Sequence, residues 1–103
     1  MIATSFPALL QRFFTDRLLQ QRHASPHTIA AYRDAFRLLL GFADDRIPSD
    51  LLLDDIDESV VCAFLQYLEE KRGDSVRTRN HRLAAIRSFF RYASVREPAH
   101  SAM

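Results

Sequence analysis

Apolar side chains recur every three or four positions through most of this chain, and that period commits it to helices. Leu9, Leu10, Phe13, Phe14 and Leu18 make one stripe. Ile29, Tyr32, Ala35, Phe36, Leu39, Leu40 and Ala43 make a second, and Val60, Val61, Phe64, Leu65 and Leu68 a third. Nowhere does the two-residue alternation of a half-buried strand replace this spacing. Two glycines and four prolines in 103 residues are also too few for a small β-sandwich, which needs turn chemistry about every eight to twelve residues.

Local signals set the helix ends. The first helix is expected from about Phe6 to Arg22, with Pro7 in its first turn. The second follows Ser25, whose hydroxyl can cap orphan amides, with Pro26 at a position that needs no donor, and it ends near residues 41–45. Asp57 caps a third helix, which Gly73 stops just past Lys71 and Arg72. The fourth begins after Ser75 and runs to about Val95, before Glu97 and Pro98, with an apolar arc of Val76, Leu83, Ile86, Phe90 and Ala93. Between the second and third helices, Asp44 to Glu58 carries seven acids against Arg46; Pro48 breaks it and Leu51, Leu52 and Leu53 plug into the core. Four amphipathic helices with short or moderate connectors predict an all-α, compact four-helix bundle.

Several function classes drop out. One cysteine excludes an internal disulfide, and four scattered histidines give no metal-ligand spacing, so neither metal nor cofactor is expected and the setting is read as reducing and cytoplasmic. No apolar run approaches the roughly 18 residues of a membrane span, and the first residues lack a secretory pattern. No carboxylate pair, nucleophile elbow or glycine-rich phosphate loop appears, so no catalytic residue, small-molecule substrate or independent enzyme activity is assigned. Cys62 reads as a small buried or half-buried side chain rather than a nucleophile. Tyr32 and Tyr92 read as core or core-edge aromatics rather than a covalent nucleophile.

Charge is the informative property, once it is divided along the chain. The total is +1, yet Lys71 to Arg96 holds eight basic residues against Asp74 alone, and Arg12 to Arg37 holds five arginines against Asp16 and Asp34. Screening at physiological salt limits a patch to roughly 8 Å, so partners respond to these local fields rather than to the sum. Thirteen of the 14 cations are arginine, whose planar fork binds phosphate or a guanine edge in a way lysine does not. Arg77, Asn80, His81, Arg87, Ser88 and Arg91 fall on one polar arc of the fourth helix around the small Ala84. Such a face can enter a major groove, with asparagine reading adenine and arginine reading guanine or holding phosphate. Arg79 and Arg82 fall near the apolar arc; they are expected either in an exposed first turn or paired with Glu69, Glu70 or Asp74.

Two stretches carry a family pattern. Ser25-Pro26-His27-Thr28-Ile29-Ala30-Ala31-Tyr32-Arg33, followed by Phe36, Leu39 and Phe42, resembles the S-x-x-T-x-x-x-Y-x-x-x-L-x-x-F helix of tyrosine recombinases. Ser75 through Ala93 resembles that family's S-x-x-T/S-x-x-R-x-L-x-A-L-R-x-F-Y-x-Y helix, and Ile56 to Leu68 is similar to the helix between them. The resemblance covers roughly residues 6–96 and points to the N-terminal core-binding, SAM-like domain of phage integrases and Xer-type recombinases. It implies one domain over residues 1–98, with 99–103 read as the start of an interdomain linker or a truncated tail. It further implies half of a clamp on double-stranded DNA, with neighbouring recombinase protomers as further partners and the catalytic tyrosine in a separate domain.

Carried over by position, fourth-helix DNA contacts come from Arg77, Thr78, Asn80, His81, Arg87 and Arg91. Second-helix contacts come from Ser25, His27, Ala30, Arg33 and Arg37. The rival reading is a protein-interaction module in which the basic fourth helix docks an acidic partner surface and the apolar residues of Phe6 to Leu19 seal a neighbour.

Overall fold

The computed structural model describes residues 4–21, 23–44 and 51–96. The first helix, α1 (Phe6–Arg12), continues without a break into a π-wound segment, Phe13–Gln21; α2 is Pro26–Asp44, α3 is Glu58–Glu70 and α4 is Val76–Arg96. A short 3-10 turn at Leu53–Asp55 lies between α2 and α3. Each helix was expected within a residue or two of where it stands. Only the wider π winding of the second half of the first helix had no local sign in the sequence. The expected breaker Pro48, the boundary at Glu97 and Pro98, and the expected linker at 99–103 lie outside the described residues.

The same capping chemistry opens both helices that carry the family pattern. The Thr28 N–H donates to Ser25 Oγ at 3.1 Å, and Ser25 Oγ donates onward to Thr28 Oγ1 at 3.1 Å. Ser75 and Thr78 repeat this bond for bond, at 3.1 and 3.1 Å. A hydroxyl at the N-cap thus satisfies one of the orphan amides of the first turn. Asp57 caps α3 by accepting from the Val60 N–H at 3.0 Å and the Ser59 hydroxyl at 2.9 Å. Those bonds, the amide first, hold its carboxyl below the usual carboxylate range.

Two helix ends are closed alike. The Asp74 N–H reaches back to the Leu68 carbonyl at 2.9 Å across Gly73, whose φ of 68° suits glycine. The Ala24 N–H reaches back to Leu18 at 2.8 Å across His23, which takes a φ of 50° with a side chain attached. Of the three leucines expected to plug into the core, Leu53 does so and Leu51 and Leu52 are half-buried. Leu53 and Ile56 are buried, while the Phe6 N–H donates to the Leu51 carbonyl (3.0 Å) and the Leu53 N–H to Thr4 (2.8 Å), an isolated antiparallel bridge centred on Ser5 and Leu52.

Aromatic rings fill the centre. Phe13 is fully buried and meets Phe14, Phe36 and Phe89 edge-on at 5.8, 6.3 and 5.6 Å and Tyr92 at 5.4 Å, joining the π segment to α2 and α4. Edge-to-face rings at these separations add to the area they bury. A second group, Phe42, Phe64 and Tyr67, joins α2 to α3. Phe6, Leu9, Leu10, Phe13 and Leu18 are all spent in this core. The rival reading had offered the first helix as a seal for a neighbour; with these side chains buried, Leu19 is its one large apolar residue that stands exposed, at 52%.

Three expectations about side-chain direction need correction. The buried face of α4 is Ala85, Ile86, Phe89, Tyr92 and Ala93, rotated from the expected arc by a little under one residue step. Val76 therefore stands 62% exposed on the outer side, and Ser88, expected on the polar arc, is 8% exposed. Apolar residues surround most of this helix, so periodicity alone does not choose among the possible arcs. Cys62 is exposed, because α3 turns Val61, Phe64 and Leu68 inward and the next position falls about 100° away.

Candidate nucleic-acid interface

The rotation of α4 decides what its polar residues can do. With Phe89 and Tyr92 facing the core, Arg77, Asn80, Ala84, Arg87 and Arg91 occupy the opposite arc, and all five are exposed. They run along nearly the whole length of a 21-residue helix. Ala84 lies at the middle of the row, where a small side chain leaves the backbone approachable. Thr78 and His81 are exposed on the flanks in the first turns.

The arginines of α4 fall into two groups. Arg79 Nη1 bridges to Glu69 on α3 at 2.9 Å. Arg82 donates from Nε to Asp74 at 3.1 Å and from Nη1 to Asp34 on α2 at 2.8 Å. Arg82 and Asp74 are 15% and 10% exposed, so this cluster sits in the crevice where α2, α4 and the turn before α4 meet. Of the two alternatives open for these arginines, an exposed first turn or pairing with Glu69, Glu70 or Asp74, the second holds, with Glu69 and Asp74 as partners. Asp34, 48 residues away from Arg82, had figured only as one of the two acids among the arginines of residues 12–37. Arg77, Arg87 and Arg91 have no ion-pair partner among the described residues. Arg96 lies over the Tyr92 ring, 5.1 Å from its centroid.

On α2 the expected residues Ser25, His27, Ala30, Arg33 and Arg37 are all exposed as well. Asp34 marks the flank facing α4, whereas Arg33 and Arg37 border a groove toward α1 with Pro7, Leu10, Gln11, Phe14, Phe36 and Leu40. Ser25 and Thr78 are engaged in the helix caps, so their hydroxyls already serve the fold. Among the described residues no cluster of histidine, cysteine, aspartate or glutamate could hold a metal ion, and no helix is long and apolar enough to cross a membrane.

Residues 10–97 match the model of the phage integrase N-terminal SAM-like domain. The chain is 55% identical over 101 residues to "Putative integrase/recombinase y4rC" of Sinorhizobium fredii, covering 95% of this chain and 30% of that protein. It is 49% identical over 94 residues to "Putative integrase/recombinase y4rD" of the same organism, covering 88% and 34%. It is 32% identical over 83 residues to the tyrosine recombinase XerC of Pelobacter propionicus, covering 79% and 26%. The chain thus spans about a third or less of the length of these relatives. No solved structure matches it.

Proposed function

This chain belongs to the phage integrase N-terminal SAM-like domain family, and from that premise we propose that it grips duplex DNA for site-specific recombination. The observation that carries the reading is the outer arc of α4. Arg77, Arg87 and Arg91 project from it without acidic partners among the described residues, while Arg79 and Arg82 of the same helix are held by Glu69, Asp34 and Asp74. Guanidinium groups left free along one helix face, with Ala84 between them, fit the width of a B-DNA major groove and the phosphates at its edges.

In this reading α4 lies in the groove, and Thr78 and His81 contact the backbone near the start of the helix. From α2, Ser25 and His27 approach the same duplex, and Arg33 and Arg37 extend the positive surface toward α1. The domain supplies affinity and register, and the groups that cut and rejoin strands come from elsewhere in the recombinase. Its other partners are further recombinase protomers on the same DNA, in the cytoplasm.

Counterion release gives the test. Affinity for a short duplex, read by fluorescence anisotropy over a range of salt concentrations, should fall log-linearly, with a slope near −2.7 if α4 neutralises about three phosphates at roughly −0.9 each. Binding insensitive to salt would overturn the reading. So would a chain that ignores DNA but forms dimers in light scattering, the result expected of a protein-interaction module.

A further inference from the structure

A groove of about 430 Å³, within the size range of ligand sites, lies between the first helix and α2. Leu10 and Phe14 line it from the first helix, and Phe36 and Leu40 from α2. Phe14 and Leu40 are half-buried, and the Phe14 ring is set edge-on against Phe13 and Phe36 at 5.8 and 6.1 Å, so the core beneath holds this apolar floor in place. Arg33 and Arg37, four positions apart and so on one side of α2, line the same groove; both are exposed, and neither has an ion-pair partner among the described residues. No acid lines it.

Two guanidinium groups without carboxylates beside them call for an anion, and an apolar floor calls for apolar side chains to displace its water. Duplex DNA meets the first demand with its phosphates but brings no apolar side chain to Phe14 and Leu40. A second copy of this chain is disfavoured by charge. Its two most exposed large apolar side chains, Val76 and Val95, adjoin Arg77 and Arg96, which would be set against Arg33 and Arg37. An acidic segment of another protein that also carries large apolar residues meets both demands.

We propose that the groove between the first helix and α2 is a docking site for an acidic, amphipathic peptide segment of a partner protein, seated by apolar side chains over Phe14 and Leu40 and by carboxylates on Arg33 and Arg37. No residue of α4 lines the groove, so the site stands whether or not the outer arc of α4 holds DNA.

The experiment selects random twelve-residue peptides, displayed on phage, on the immobilised chain; the most enriched sequence is then synthesised with a fluorescent label and its affinity read by anisotropy. Enriched sequences should carry two acids within four positions of a leucine, phenylalanine or tryptophan. Arg33→Glu/Arg37→Glu should weaken the labelled peptide at least about tenfold. Gln11→Glu, which places an acid on an exposed lining position, should weaken it about threefold. Leu40→Lys should weaken it too, although it adds a positive charge; Gln11→Glu carries the test alone if Leu40→Lys does not fold.

Enrichment of peptides without acids, or of none, overturns the proposal, as does an affinity unchanged in Arg33→Glu/Arg37→Glu or in Gln11→Glu. Tighter binding by Leu40→Lys would mean that charge alone holds the peptide, and it overturns the apolar seat. A short duplex whose affinity falls in Gln11→Glu as far as the peptide's gives the groove to DNA, and self-association of the wild type that Gln11→Glu or Leu40→Lys abolishes gives it to a second copy; either result overturns the peptide as occupant. Failure of the DNA-binding reading is seen separately, as a chain that takes the peptide but retains no duplex in a salt-dependent manner.

Discussion

The two sides of α4 carry the same residue type to opposite ends. Arg79 and Arg82 point toward α3, α2 and the turn before α4, where Glu69, Asp34 and Asp74 neutralise them. Arg77, Arg87 and Arg91 lie on the far side, where no described acid reaches. Along the chain the two groups are interleaved, so composition and spacing do not separate them. The difference comes from which neighbour each arginine faces once the Phe89 and Tyr92 side of the helix has been buried. One group holds helices together and the other is left for a partner.

The comparison predicts that stability and DNA affinity separate along this line. Arg82→Ala should lower the unfolding free energy by about 2 kcal/mol, because it leaves Asp74 in a crevice without its cation and also releases Asp34. Urea denaturation checks it, and a loss below a few tenths of a kcal/mol would remove the structural role given to Arg82. Gly73→Ala should cost about 1 kcal/mol, since the helix-closing bond from Asp74 to Leu68 requires the left-handed backbone at that position. A cost similar to that of alanine at a solvent-exposed helical site would show that the turn leading into the Arg82 cluster does not depend on it.

Tyr92 sharpens the inner side from another direction. Its hydroxyl is buried with no hydrogen-bond partner among the described residues, so Tyr92→Phe should raise stability by up to about 1 kcal/mol. Thermal unfolding of the variant below the wild type would mean that the hydroxyl has a partner after all. On the outer side, Arg87→Ala should leave stability within about 0.5 kcal/mol of wild type while weakening duplex binding.

The smallest effect concerns pH. Asp57 has its carboxyl pKa lowered in the folded chain by the Val60 amide and the Ser59 hydroxyl. Its contribution is therefore present above the ordinary aspartate range and is lost as pH falls through that range toward the lowered folded value. An Asp57→Asn chain should show a shallower acid-side decline in stability than wild type.

Much of this was legible because it is local. Ser25, Asp57, Ser75 and Gly73 act on amides and carbonyls within a turn of themselves, so helix ends could be placed from neighbouring residues alone. The second and third apolar stripes were clear because polar residues fill the rest of those helices. The fourth helix was harder to read. Leu83, Phe89, Phe90 and Tyr92 surround much of its circumference, and only packing against α2, α3 and the π segment chose the arc that buries Ser88 and exposes Val76. Asp34 was visible only as one of two acids among the arginines of residues 12–37, and its link to Arg82 depends on how two helices distant in sequence come together. The groove that Arg33 and Arg37 border against α1 depends on the same packing.

The central claim is that the outer arc of α4, rather than basic charge in general, holds DNA. It is tested most directly by measuring the duplex affinity of Arg77→Glu/Arg87→Glu beside a charge-matched control, Arg12→Glu/Arg46→Glu, over the same series of salt concentrations. The account predicts that the α4 double reversal lowers affinity by at least about tenfold more than the control and reduces the salt slope by about two. Equal losses from the two variants would contradict it.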